Sequence, residues 1–190
     1  MDIKIEARHL QDVVVLVPGI FQDDRGFFME TFRTDQFKAH GLPHLFAQDN
    51  HSRSVKGVVR GLHFQWDPPM GKLMRVSQGS AFLVAVDIRK GSPTLGKWVG
   101  VVASAENRRQ VWAPAGFARG FCVLSESAEI QYKCTGIYNG KAEFGIFWND
   151  PEIGIDWPLP ISEIQLSEKD KKAQTLAEWL VSPESENFKY

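Results

Sequence analysis

An all-β sandwich or barrel, with short flanking helical turns and one C-terminal helix, is the fold class this sequence predicts. Two observations carry that expectation. Short apolar or alternating runs recur at close spacing, separated by turn residues instead of helical stretches. The chain also holds 13 Phe and 6 Trp alongside 16 Gly and 10 Pro, which supplies core aromatics and turn formers together. No βαβ rhythm and no internal repeat is visible, so a parallel α/β fold is excluded. At 190 residues, 43% hydrophobic and 24% charged, the chain has the size and balance of one soluble domain with a sizeable core.

Val13 to Val17 is a continuous apolar strand, stopped by Pro18-Gly19. Asp23 to Gly26 forms a turn, and Phe27 to Phe32 a strand after it. Thr34 to His40 predicts a short helix with Thr34 as N-cap and Gly41 as its stop. Phe46 to Ser54 is polar and reads as irregular. Val58 to Gln65, Leu73 to Val76 and Ala81 to Ile88 are strands, the last apolar on both faces and therefore central. Lys90 to Gly96 is a loop. Trp98 to Ala103, Arg109 to Ala113 and Phe117 to Leu124 are further strands. Ile130 to Tyr138 alternates, with Ile130, Tyr132, Cys134 and Tyr138 on one side. Asn149 to Pro160 is loop-like. Ser167-Glu-Lys-Asp170 has the form of a capping box and opens a helix over 167–181, with Ala173, Leu176, Ala177 and Leu180 at helical spacing. Pro183 to Tyr190 is polar and expected to be loose. The whole chain, 1–190, reads as one domain with its β core at 12–160.

Composition excludes several classes of function. A net charge of −1 gives no footprint for nucleic acid or an acidic membrane. No apolar run approaches the ~18 residues of a membrane span, and the charged N-terminus lacks an apolar signal core. Cys122 and Cys134 lie in apolar runs without CxxC spacing, as buried thiols of a reducing compartment do. A cytoplasmic protein is expected. The five histidines, His9, His40, His44, His51 and His63, form no HxH or HExxH pair, so no metal site is expected. GxSxG, Walker and GxGxxG motifs are absent, which withdraws support from hydrolase, NTPase and dinucleotide readings.

The stretch from Gly57 to Lys72, GVVRGLHFQWDPPMGK, is the exception to this blandness. It carries Arg60, His63 and Gln65 through an apolar strand, which either buries polar groups at a cost or lines a pocket. Taken singly, each residue has a structural explanation. A strand histidine is a core residue, Tyr132 a core ring with a wet hydroxyl, Lys72 a solvated strand end, Arg25 an exposed turn residue, and Asp170 the third residue of a capping box. Taken together, a histidine, a tyrosine and several cations suit proton transfer next to a carbonyl, with cations holding an enolate oxygen or a phosphate. The residues themselves leave open an isomerase or a sugar-phosphate binder.

The motifs DDRGFFMETF (23–32), QDNHS (48–52), GVVRGLHFQ (57–65), GK (71–72), VAVDIRKGSPTLGKW (84–98), PAGFARGF (114–121), YKCTGIY (132–138), NDPEIGIDWP (149–158) and LSEKD (166–170) resemble the dTDP-4-dehydrorhamnose 3,5-epimerases. The resemblance covers roughly residues 12–172. It implies a cupin-type jelly roll, a homodimer exchanging N-terminal strands, and inversion of C3 and C5 of dTDP-4-keto-6-deoxyglucose without metal or other cofactor. A single-position epimerase, a ketoisomerase and a non-catalytic nucleotide-sugar-binding cupin are the alternatives. By motif match His63 falls on the base, Asp170 on its orienting partner, Lys72 on the enolate stabiliser and Tyr132 on the acid. Tyr138 falls on the thymine-stacking position and Arg60 on a diphosphate contact. Arg25 and Glu30 are expected to reach the nucleotide from the other subunit, and Phe28, Gln48, Asp49, Asn50, Glu143 and Lys169 fall on further binding positions.

Two features resist the match. Regular strand alternation sets Arg60 opposite His63, so both face one pocket only if Gly61 introduces a bulge. And where the family has GFAHGF this chain has GFARGF, placing the always-charged fork of Arg119 in the site, with an expected role toward phosphate or keto-sugar.

Overall fold

The computed structural model describes residues 1–190. The strands are β1 (Ile3–His9), β2 (Val13–Pro18), β3 (Ile20–Asp23), β4 (Gly26–Met29), β5 (Gln48–Val55), β6 (Val59–Gln65), β7 (Lys72–Gln78), β8 (Ser80–Asp87), β9 (Trp98–Ser104), β10 (Gln110–Ala113), β11 (Phe117–Val123), β12 (Ser127–Cys134) and β13 (Glu143–Gly145). Three short helices accompany them: α1 (Thr34–Ala39), α2 (Glu168–Lys171) and α3 (Leu176–Val181). A six-stranded sheet, β1-β2-β10-β7-β12-β5, faces a five-stranded sheet, β13-β6-β11-β8-β9, and β3-β4 form a separate hairpin. Neighbouring strands pair antiparallel throughout, giving a jelly-roll sandwich.

Strand alternation builds the core. Val13, Val15, Met74, Val76, Val111 and Ile130 from one sheet meet Leu83, Ala85, Val101, Phe117 and Phe121 from the other. The intervening residues of β8 and β11, Val84, Val86 and Ala118, point outward, yet they are buried too. Leu176, Trp179 and Phe188 from the C-terminal segment cover them, which explains why β8 is apolar on both faces. Each such side chain removed from water contributes ~1.5–3 kcal/mol.

The structure departs from the sequence expectations at five places. Residues 3–9 form β1, whose short alternation pairs with β2. The polar run expected to be irregular is β5, an edge strand paired along its length with β12; its alternation is between polar residues, so it gave no apolar signal. Thr34 is the first residue of α1, not its cap; Arg33 holds the N-cap position. The single helix expected over 167–181 is two, because Thr175 starts α3 with its own capping box to Glu178. The terminal residues are docked: Pro183–Phe188 form a 3-10 turn, and Phe188 is buried against Phe64 and Trp179. Both cysteines are free and buried.

Candidate active site

Gly61 supplies the irregularity that the histidine strand requires. His63 pairs with Arg119 across β6 and β11, and Arg60 with Phe121, so three steps on β6 oppose two on β11. That is one extra residue on β6, a bulge. Gly61 sits at φ +141°, and a Cβ there would lie 2.6 Å from Gly120 Cα. The offset turns Arg60 and His63 to the same side. Both line a recess of about 220 Å³ between the sheets, with Ser52, Lys72, Arg119, Tyr132 and Glu143.

The histidine is held from the far end of the chain. His63 Nε2 lies 2.5 Å from Asp170 Oδ1, and the carboxylate's other oxygen accepts the Ser167 hydroxyl at 2.9 Å. Ser167 Oγ in turn accepts the Asp170 backbone N–H, capping α2. The capping-box explanation of Asp170 is therefore half right: Ser167 caps, while the carboxylate goes to the imidazole. Asp170 is 3% exposed. Burial pushes its carboxyl up, but the bonds from His63 and Ser167 outweigh it and hold the pKa below the usual range. With Nε2 donating to Asp170, the lone pair of His63 resides on Nδ1, where it can take a proton.

Lys72 begins β7, and its Nζ lies 5.1 Å from the centre of the Tyr132 ring on β12. Burial, and then the charge of Arg119, lower its pKa to about 8. The Tyr132 phenol is pushed up, first by burial, so it stays protonated and able to donate. Arg119 is 3% exposed; its Nη1 donates to the carbonyls of Met70, Ala113 and Pro114. Glu143 on β13 pairs with Lys169 of α2 and accepts the Tyr138 hydroxyl at 3.1 Å. Burial raises the Glu143 carboxyl, and the Lys169 bond with nearby positive charge brings it net below its ordinary value.

The other expected residues divide. Gln48 accepts the Tyr138 backbone N–H and donates to Asn50, and the Tyr138 hydroxyl reaches Glu143 of the recess, so the three are tied together beside it without lining it. Tyr138 lies beyond the end of β12, with its ring exposed, and is not part of the alternating strand as expected. Asp49 is not brought to the recess. Alternation along β5 turns it to the outer face, where it pairs with Lys133 at 2.9 Å. A second hollow of about 390 Å³ is lined by Asp49, His51, Arg75, Gln131 and Lys133 together with Asn50 and Tyr132, the last of which also lines the recess. Arg25 and Phe28 stand on the exposed β3-β4 hairpin, with Arg25 paired only to Asp23, while Glu30 binds the N-terminal amine and Arg33. None of the three enters this chain's own recess. Ser52 was missed. Its Oγ is buried without a partner, and its parity with Asn50 on β5 was the available signal. No group of three or more His, Cys, Asp or Glu is arranged to hold a metal ion.

A jelly roll whose inter-sheet recess joins an oriented imidazole, a buried phenol and an ammonium of lowered pKa has the groups for proton transfer next to a carbonyl, and the comparisons make the class a carbohydrate epimerase. The model of the dTDP-4-dehydrorhamnose 3,5-epimerase family matches residues 7–178, and the chain belongs to that family. The dTDP-4-dehydrorhamnose 3,5-epimerase of Pseudomonas aeruginosa is 53% identical over 170 residues, 89% of this chain and 93% of that protein. The enzyme of the same name from Neisseria gonorrhoeae is 54% identical over 169 residues, 89% of this chain; there the match spans only 51% of a longer protein. The solved structure of the Legionella pneumophila dTDP-6-deoxy-D-glucose-3,5-epimerase, in complex with dTDP-4-keto-L-rhamnose, superposes with a TM-score of 0.92 at 46% identity, covering 99% of this chain and 98% of that one.

Proposed function

We propose that this chain inverts C3 and C5 of dTDP-4-keto-6-deoxy-D-glucose to give dTDP-4-keto-L-rhamnose, without a cofactor. The observation that carries the proposal is the His63–Asp170 pair set into a recess that also holds Lys72 and Tyr132. The C4 ketone acidifies the hydrogens on both neighbouring carbons. His63 Nδ1 takes the proton from one of them; the C–H electron pair becomes the C=C bond, and the carbonyl pair moves to O4. Lys72 stabilises that enolate oxygen. Tyr132 returns a proton to the opposite face of the carbon, which inverts it. The enolate collapses back to the C4 ketone as the carbon is protonated; His63 then loses its proton to solvent and the Tyr132 phenolate regains one from solvent, and the same sequence at the second carbon completes the reaction. Asp170 keeps the imidazole in the Nε2–H tautomer and stabilises the imidazolium.

Arg60 and Ser52, which line the recess, meet the diphosphate, and Tyr138, Gln48 and Asn50, joined to one another and through Tyr138 to Glu143 of the recess, meet the nucleoside. Arg25, Phe28 and Glu30 serve the recess of a second copy in a homodimer. The exposure of Phe21, Phe27 and Phe28, at 68%, 58% and 65%, on a hairpin outside both main sheets supports that role. No helix is long and apolar enough to cross a membrane, and we place the enzyme in the cytoplasm, where its thiols stay reduced.

Proton NMR in heavy water, with the 4-keto sugar nucleotide generated in place, tests the reaction. Deuterium entering at both C3 and C5 is the expected result. Entry at one carbon alone makes this a single-position epimerase, and no entry at either removes the enzymatic reading.

A further inference from the structure

Arg119 is a cation buried without a counter-charge. Its Nη1 is used up on the carbonyls of Met70, Ala113 and Pro114, but Nε and Nη2 are buried and have no hydrogen-bond partner. No carboxylate forms an ion pair with it. Leaving such donors unmade is costly, and buried donors are completed by protein groups, by ordered water or by a ligand.

The position of the guanidinium selects the ligand. Arg119 stands directly opposite His63 across the sheet, and its Nη1 reaches Ala113, the residue paired with Lys72 on β7. Its tip therefore lies on the Lys72 side of the recess, and its charge acts on Lys72. Arg60, by contrast, is exposed at the mouth and donates from Nε to Ser54. One cation sits where a diphosphate enters, and two sit together beside the histidine.

We propose that Arg119 and Lys72 form a paired-cation cradle for the enolate oxygen of the keto-sugar, with Arg119 donating from Nε and Nη2. The proposal rests on the epimerase reading above and assigns Arg119 to the sugar instead of the phosphate. Arg119 transfers no proton in this step. The proton of the C–H bond goes to His63, the electron pair comes to rest on O4, and the guanidinium hydrogen-bonds the charge that develops there. Burial lowers the Arg119 pKa only to about 10, so the fork is charged at neutral pH.

The test is Arg119→Gln, with Arg119→Lys beside it. Lysine keeps a charge for the Met70 carbonyl but lacks the second donor edge, and it is the variant to use if glutamine prevents folding. For each folded variant, deuterium wash-in at saturating substrate is compared with dTDP affinity by calorimetry. Wash-in slowed on the order of 10²-fold, with dTDP affinity within twofold of the parent, is expected. Unchanged wash-in overturns the proposal, and so does a tenfold loss of dTDP affinity, which would return Arg119 to the diphosphate. The parent protein is measured in the same assay: if it shows no wash-in, the epimerase reading itself fails, whereas a parent that exchanges beside an unaffected variant sinks only the cradle.

Discussion

Replacing Lys72 with methionine should make the protein more stable and far less active. The side chain is mostly buried at the start of β7, and its ammonium pKa falls from 10.5 to about 8, through burial first and the Arg119 charge second. Each unit of such a depression corresponds to ~1.4 kcal/mol, so the charged ammonium costs the folded state on the order of 3 kcal/mol. The contact with the Tyr132 ring at 5.1 Å returns part of this, ~0.5–2 kcal/mol for a cation over an aromatic face. Lys72→Met is therefore expected to gain about 1–3 kcal/mol at pH 7. The sign follows from proton counting. Between pH 8 and 10.5 the unfolded chain binds more protons at this site than the folded one, so the parent gains stability as pH rises through that window. The advantage of the variant is full below pH 8 and nearly gone by pH 10.5. Urea unfolding of both proteins at matched concentration, at intervals from pH 7 to 10.5, measures it directly. A variant less stable than the parent at pH 7, or a difference independent of pH, would refute the account of Lys72 as a cation held against its solvation preference for the sake of the enolate. Deuterium wash-in for the same variant should fall on the order of 10²-fold.

Two further predictions concern the histidine. Asp170→Asn leaves an acceptor for His63 Nε2 at 2.5 Å but removes the buried charge; a loss of ~1.5–3 kcal/mol of imidazolium stabilisation, the range for bonds to charged groups, slows wash-in roughly 10- to 150-fold, and a kcat within threefold of the parent would rule this out. Gly61→Ala places a Cβ 2.6 Å from Gly120 Cα at φ +141°; it should destabilise the fold by more than ~1 kcal/mol and weaken both dTDP affinity and wash-in, because Arg60 and His63 lose their common face together. A variant with parental melting temperature and kinetics would show that the bulge is dispensable.

Much of this molecule is written in local pattern. The doubly apolar Ala81–Ile88 run, the Val13–Val17 run and the turns between strands predict an antiparallel β protein because alternation and turn chemistry act over a few residues. The Ser-x-x-Asp cap before α2 is local in the same sense, as is the arginine at 119. Polar β5 and the docked Phe188 were not legible, since the first is specified by pairing with β12 and the second by a cavity over β8. The site depends on such distant partners still more. Arg60 and His63 are three residues apart, and only the pairing with β11 reveals the bulge that unites them. Asp170 lies 107 residues from His63; its sequence shows a helix cap, and its second task appears only when α2 is laid against β6. Asp49 is the converse case, since a matching motif does not reveal that its carboxylate takes the outer face of an edge strand and pairs with Lys133. The sequence by itself determined which chemical groups were present and which elements carry them. The tertiary structure decided which of those groups share a recess, because face, burial and unpaired donors such as those of Arg119 are set by segments far apart in the chain.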